Sequence, residues 1–198
     1  MKDIEKIMKK SCIGKLWANM NADTKDETCI QARQMMENIC ETGPLKKYLL
    51  HSLIPSAAAY KVLIKNGMSE KEAYDVIKRT VFNSMEPARR RIKVICSLSS
   101  FPWIFNQIWK RIPSFVIKNF PSRGWDIQWI KKDKHEIKFN MNSCFYCDFF
   151  RVHKCPELTR IFCDCDHIIY GSMKGFKFIR SQTMGKGAAK CDFCFKKA

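Results

Sequence analysis

The apolar residues change their period at Pro121, and that change limits what the chain can fold into. Before it they recur at helical spacing; after it they alternate in twos. CIQARQMMENIC (29–40) has helical spacing and stops before the breaker pair Gly43-Pro44. LKKYLLHSLIPSAAAYKVLIKNG (45–67) predicts one or two helices, broken at Pro55 and stopped by Gly67. Ser69, with Glu72 three residues later, is a capping box that starts the helix SEKEAYDVIKRTVF. ARRRIKVICSL and WIFNQIWKRI predict two shorter helices divided by Pro102.

Beyond Pro121, WDIQWI (125–130) sets Trp125, Ile127 and Trp129 on one side. EIKFNMN (136–142) does the same with Ile137, Phe139 and Met141, and KKDKHE between them is a turn. Together they predict a β-hairpin with one buried face. FKFIRS (176–181) and CDFCF (191–195) alternate in the same way, and two helices, 144–153 and 156–167, fall between the strand pairs. The expected class is α+β. A helical region (1–120) precedes a four-stranded antiparallel sheet carrying helices (121–198), in the order β-β-α-α-β-β, packed as one unit.

The N-terminal stretch MKDIEKIMKKSCIGKLW is charged throughout and lacks the apolar core of a leader peptide. The longest uncharged stretch, VICSLSSFPWIFNQIW (94–109), carries Ser, Asn, Gln and Pro and reads as core, not membrane. The expected location is the cytoplasm, where the eleven cysteines stay reduced. They are then core filler, metal ligands or nucleophiles. The net charge of +17 attracts anions of any kind, but the only dense basic run is ARRRIK (88–93). The strands do not interleave aromatic and basic residues as an RNA-binding module does, so neither a specific nucleic acid nor a membrane is the expected partner.

CPELTRIFCDCD (155–166) concentrates residues that can do chemistry. Read as a helix, it has Pro156 at the first position and Glu157 facing the positive end of the dipole. Leu158, Ile161, Phe162 and Cys165 form its buried stripe. Asp164 lies on another face with Glu157 and Arg160; Cys163 borders the stripe, with Asp166 on its side one turn later. In the strand 176–181, Arg180 shares a face with Phe176 and Phe178. A guanidinium buried there needs a carboxylate, Glu157, Asp164 or Asp166, or else an anionic ligand. Cys191 shares its face with Phe193 and Phe195 and looks toward the same cavity. The loop SQTMGKGAAK, with Ser181, Thr183, Gly185 and Gly187, either folds over a ligand or simply joins two strands.

Zinc is the candidate ion, but the spacing is poor. Cys144-x2-Cys147 and Cys191-x2-Cys194 are separated by residues 148–190, against roughly 15–20 residues in a zinc ribbon. Residues three apart on a strand also point to opposite faces, so Cys191 and Cys194 do not grip one ion. A mixed site of Cys144, Cys163 and Cys191 stays open, and with it the alternative of a cysteine-rich zinc- or iron-binding protein, catalytic or structural. For nucleophilic catalysis, Cys144 precedes a first helical turn whose dipole is expected to lower its thiol pKa, and His153 and His167 are the candidate bases.

Taken in order, Cys144, PEL (156–158), FCDCD (162–166), FIR (178–180), T-x-x-x-G (183–187) and CDF (191–193) resemble the L-2-amino-thiazoline-4-carboxylic acid hydrolase family. SLIPSAAAYKVLIKNGMSEKEA (52–73) and the tryptophan strand after Pro121 resemble its helical first half. The resemblance implies a hydrolase acting on carbon–nitrogen bonds other than peptide bonds, which opens a cyclic amidine-like C–N/C–S bond, yields N-carbamoyl-L-cysteine, and acts on a small anionic sulfur- or nitrogen-containing substrate. It implies Arg180, with Thr183, as substrate-binding residues, Glu157, Asp164 or Asp166 as acid/base, and Cys144, Cys163 or Cys191 as nucleophile or ligand. No cofactor is required. Cys147, Cys165 and Cys194 depart from the family pattern.

Overall fold

Helices make up the chain as far as Asn119 and strands enter only after it, in a computed structural model that describes residues 2–37, 39–97 and 102–197. The class is α+β with a helical N-terminal half. The helices are α1 (Lys2–Lys10), α2 (Gly14–Ala18), α3 (Ala22–Met36), α4 (Gly43–Tyr48), α5 (Ile54–Lys65), α6 (Glu70–Ser97) and α7 (Pro102–Asn119). Then follow β1 (Ile127–Lys132), β2 (Glu136–Met141), α8 (Phe145–Val152), α9 (Thr159–Tyr170), β3 (Phe176–Ile179) and β4 (Cys191–Lys197), the expected β-β-α-α-β-β order. Among the described residues no helix is long and apolar enough to cross a membrane.

The helix ends follow local chemistry. Asn21 caps α3 by accepting from the Thr24 amide at 2.8 Å, so this helix starts and stops earlier than the expected 29–40. Residue 38 of that stretch lies outside the described residues. Between α4 and α5 the chain makes a π turn, Leu49–Leu53, just ahead of Pro55, which has no amide to donate. Ser69 and Glu72 form the expected reciprocal box: the Ser69 amide donates to Glu72 Oε2 at 3.0 Å and the Glu72 amide donates to Ser69 Oγ at 3.3 Å.

Two expectations are corrected. ARRRIKVICSL is not a separate helix: α6 continues through Pro87 to Ser97. Glu86 pairs with Arg89 and Arg90, at 2.8 and 3.0 Å, across the turn that Pro87 weakens. The second helix does begin at Pro102, where the division was expected, but it is longer than WIFNQIWKRI: α7 runs past Pro113 to Asn119. Residues 98–101, in the middle of the uncharged stretch, lie outside the described residues.

The chain divides into two compact units. The first comprises residues 1–84 and 149–161; Met8, Ile13, Leu53, Ile54 and Leu158 are among its fully buried side chains. The second comprises residues 85–148 and 162–198 and holds the sheet. Its strand order is β1-β2-β4-β3, antiparallel throughout, so the last strand is central. The register sets Phe139 opposite Phe193, Met141 opposite Cys191 and Phe178 opposite Phe195. Trp125 precedes β1, which begins at Ile127, and packs its ring against Phe120 and Phe145. α7 lies on the sheet through Phe105, whose ring stacks 4.8 Å from that of Phe176. Trp109 Nε1 ties α7 to the β1–β2 turn by donating to the Asp133 carbonyl at 2.8 Å.

Candidate functional site

β3 ends at Ile179, and Arg180 follows on the side of Phe176 and Phe178, as period-2 alternation requires. Its guanidinium lies over the rings of Phe193, at 5.2 Å, and Phe178, at 5.8 Å. Opposite stands α9, whose i, i+3 geometry lets one arginine reach two of its turns. Nη1 donates to Asp166 Oδ2 at 2.5 Å, and Nη2 donates to the Cys163 carbonyl. Of the three carboxylates open to Arg180 in the sequence, Asp166 is the partner. Burial pushes Asp166 up to about 6, against the opposing pull of Arg180.

Asp164 points to the loop instead, where Lys186 Nζ meets its Oδ1 at 3.1 Å. That loop, 181–190, is tied at its base by Asp192. The carboxylate accepts from the Ser181 amide and hydroxyl and from the Gln182 amide, at 3.0, 2.7 and 2.8 Å. Burial raises the Asp192 pKa, but these donors outweigh it and hold the carboxyl below its ordinary value. The loop turns through the short helical segment Met184–Lys186 to Gly187, at φ +92°. Thr183 is buried inside it, with its hydroxyl beside the Cys163 thiol. Two buried polar atoms of this cluster, Arg180 Nε and Thr183 Oγ1, have no hydrogen-bond partner among the described residues.

Three of the thiols face this neighbourhood. Burial raises Cys163, with the Thr183 hydroxyl opposing, and pushes Cys191 up to about 12 although the Met184 amide donates to its sulfur at 3.2 Å. The expected lowering at Cys144 is reversed: its hydrogen bond with Cys147 and burial raise the thiol well above its ordinary value. No disulfide joins any of the eleven cysteines. Cys194 lies on the other face of β4 and donates to Glu136 Oε1 at 3.3 Å, and Cys165 is buried within α9. Among the described residues no three His, Cys, Asp or Glu side chains assemble in a way that could hold a metal ion, so Cys144, Cys163 and Cys191 do not form a ligand triad.

His167 packs edge-on against Phe178, and burial, then Arg180 and Lys186, lower its pKa. His153 belongs to the first unit, where it packs on Phe149. So does Glu157: PEL is a tight turn, Pro156–Leu158, ahead of α9 and not its first turn. There Glu157 hydrogen bonds with the Tyr60 hydroxyl; burial, with the Glu157 charge adding to it, pushes the Cys155 thiol up to about 12. The second unit therefore brings together Cys144, Cys163, Asp164, Asp166, Arg180, Thr183 and Cys191, while Glu157 has partners of its own.

Sequence reasoning missed Asp192, Lys186 and the ring of Phe193 under the guanidinium. Alternation puts Asp192 on the face of its strand opposite to Cys191, away from the cavity. The available signal was the Ser181-Gln182 pair, whose unpaired amides need an acceptor.

A family model described as L-2-amino-thiazoline-4-carboxylic acid hydrolase matches residues 47–195, most of the chain. Comparison with curated proteins and with solved structures gave no match.

Proposed function

Because the chain belongs to the L-2-amino-thiazoline-4-carboxylic acid hydrolase family, we propose that it hydrolyses a small anionic cyclic amidine of the 2-amino-thiazoline-4-carboxylate type, with Asp166 as the acid/base group. The Asp166–Arg180 pair carries this reading. A carboxylate with a pKa of about 6 gives and takes a proton near neutral pH, as general acid–base catalysis needs. Arg180 positions that carboxylate and spans it to the Cys163 carbonyl.

The step begins with the protonated amidine, whose ring carbon is bonded to two nitrogens and a sulfur. Asp166 takes a proton from water as the water oxygen adds to that carbon. The tetrahedral adduct then breaks its C–S bond, and the electron pair leaves on sulfur. Asp166 returns its proton to that sulfur. The adduct hydroxyl loses its proton to solvent as the carbonyl forms, and N-carbamoyl-L-cysteine results. Arg180 Nε, buried and without a hydrogen-bond partner among the described residues, and the buried Thr183 hydroxyl beside the Cys163 thiol are assigned to polar atoms of the substrate. The raised thiols weigh against a covalent route, which begins from a thiolate. A cytoplasmic location, which keeps thiols reduced, belongs to the same reading.

The test is to incubate the purified chain with L-2-amino-thiazoline-4-carboxylate and follow N-carbamoyl-L-cysteine by chromatography. Wild type forms it, and Asp166→Asn forms it roughly 100-fold more slowly or worse. Equal rates would remove Asp166 from the mechanism. A wild type that forms none would remove this substrate class.

A further inference from the structure

The second unit holds a cavity of about 240 Å³ that the hydrolase reading does not use. Its floor is the sheet face that carries Phe139, Phe193 and Phe195. Its walls come from α7, through Ile112 and Val116, and from Tyr170 at the end of α9. These are apolar or aromatic surfaces, and the volume exceeds the roughly 150 Å³ of an apolar cavity that stays dry and takes up benzene. Its mouth is marked by Ile95 and Phe115, which are 53% and 52% exposed. Large side chains left this open beside an apolar cavity are a feature of ligand sites.

Among the described lining residues Arg111 alone carries a charge. It is exposed, and it has no carboxylate partner among the described residues. An apolar interior with one exposed guanidinium at its edge matches a ligand with an apolar body and one anionic end. We propose that this cavity binds a medium-chain monocarboxylate, with the acyl chain inside and the carboxylate on Arg111. The site does not depend on the hydrolase reading, although the Phe193 ring belongs to both places.

Chain length and head group test it separately, by calorimetry on the full chain. Wild type binds decanoate saturably at one site. From hexanoate to decanoate the affinity rises about fourfold per methylene, the equivalent of about 0.8 kcal/mol for each CH₂ buried. Arg111→Glu, a change at an exposed position, weakens decanoate at least roughly tenfold, as loss of a charge-assisted contact should. Decanol, which has the same chain and no charge, binds wild type and variant alike. Absence of saturable decanoate binding, or no dependence on chain length, overturns the proposal. So does decanoate binding that Arg111→Glu leaves unchanged, or an equal loss of decanol.

Discussion

Asp166 Oδ2 and Arg180 Nη1 lie 2.5 Å apart, yet the arginine side chain is 1% exposed and the aspartate side chain 26%. A carboxylate beside a guanidinium ordinarily titrates low, but here burial outweighs the attraction and Asp166 sits at about 6. If Asp166 is the base, kcat/KM on the thiazoline falls about tenfold per pH unit below that value. A pH–rate profile checks this. A profile without an acid limb, or one still present in residual Asp166→Asn activity, would contradict it.

The same shift predicts how stability depends on pH. The folded pKa lies above the ordinary 3.8, so the folded chain holds this proton more tightly than the unfolded one. Its contribution is complete below about 3.8 and is lost as pH rises through about 6. Asp166→Asn cannot ionise and lacks that loss. Urea unfolding of both proteins across this window should show wild type losing stability relative to the variant as pH rises. A constant difference would mean that Asp166 is not shifted.

Much of this was legible in the residues, and what was not has physical causes. The change of period at Pro121 and the four strands could be read because side-chain alternation is a local property. The continuation of α6 through Pro87 could not, since a proline marks a break unless neighbouring pairs such as Glu86–Arg89 hold the turn. For Arg180, burial followed from its place beside Phe176 and Phe178. The choice of Asp166 over Asp164 or Glu157 depended on how α9 is set against the sheet, which no local pattern records. Cys144 shows the converse. A helix start predicts a lowered thiol, and the neighbouring Cys147 reverses that.

Arg180→Ala should destabilise the chain by about 3 kcal/mol, the lower end of the range for breaking a buried pair, because Asp166 keeps some contact with solvent. Arg180→Lys should recover only part of this. A single ammonium can meet Asp166 but cannot also span to the Cys163 carbonyl or lie flat on Phe193. Denaturant unfolding of the three proteins gives the ranking, and a lysine variant as stable as wild type would show that the fork geometry is unimportant.

Asp192→Ala should loosen the loop that carries Thr183 without unfolding the sheet. Three donors at Ser181 and Gln182 lose their acceptor at once. A charged hydrogen bond contributes about 1.5 kcal/mol, so exchange of the 181–188 amides should quicken by about tenfold or more. The Phe193 and Cys194 amides, in the central strand, should keep their wild-type protection. Hydrogen exchange read by mass spectrometry separates the two, and uniform loss of protection would mean that Asp192 supports the whole sheet.

The cysteines of the cluster should resist alkylation. Cys191 moves from an ordinary 9.0 to about 12, which leaves it roughly a thousandfold less thiolate at neutral pH. Cys144 and Cys163 are raised as well, and Cys163 and Cys191 are also buried. Alkylation requires both thiolate and access, so iodoacetamide should label the exposed Cys40 first and reach these three only in denaturant. Peptide mass spectrometry gives the order. The same protonation state predicts that Cys163→Ser turns over the thiazoline within about tenfold of wild type, since a thiol that stays neutral supplies packing and not a nucleophile. Rapid labelling of Cys144, Cys163 or Cys191 in the folded chain, together with an inactive Cys163→Ser of wild-type stability, would point to a thiolate and to a covalent mechanism in place of direct attack by water.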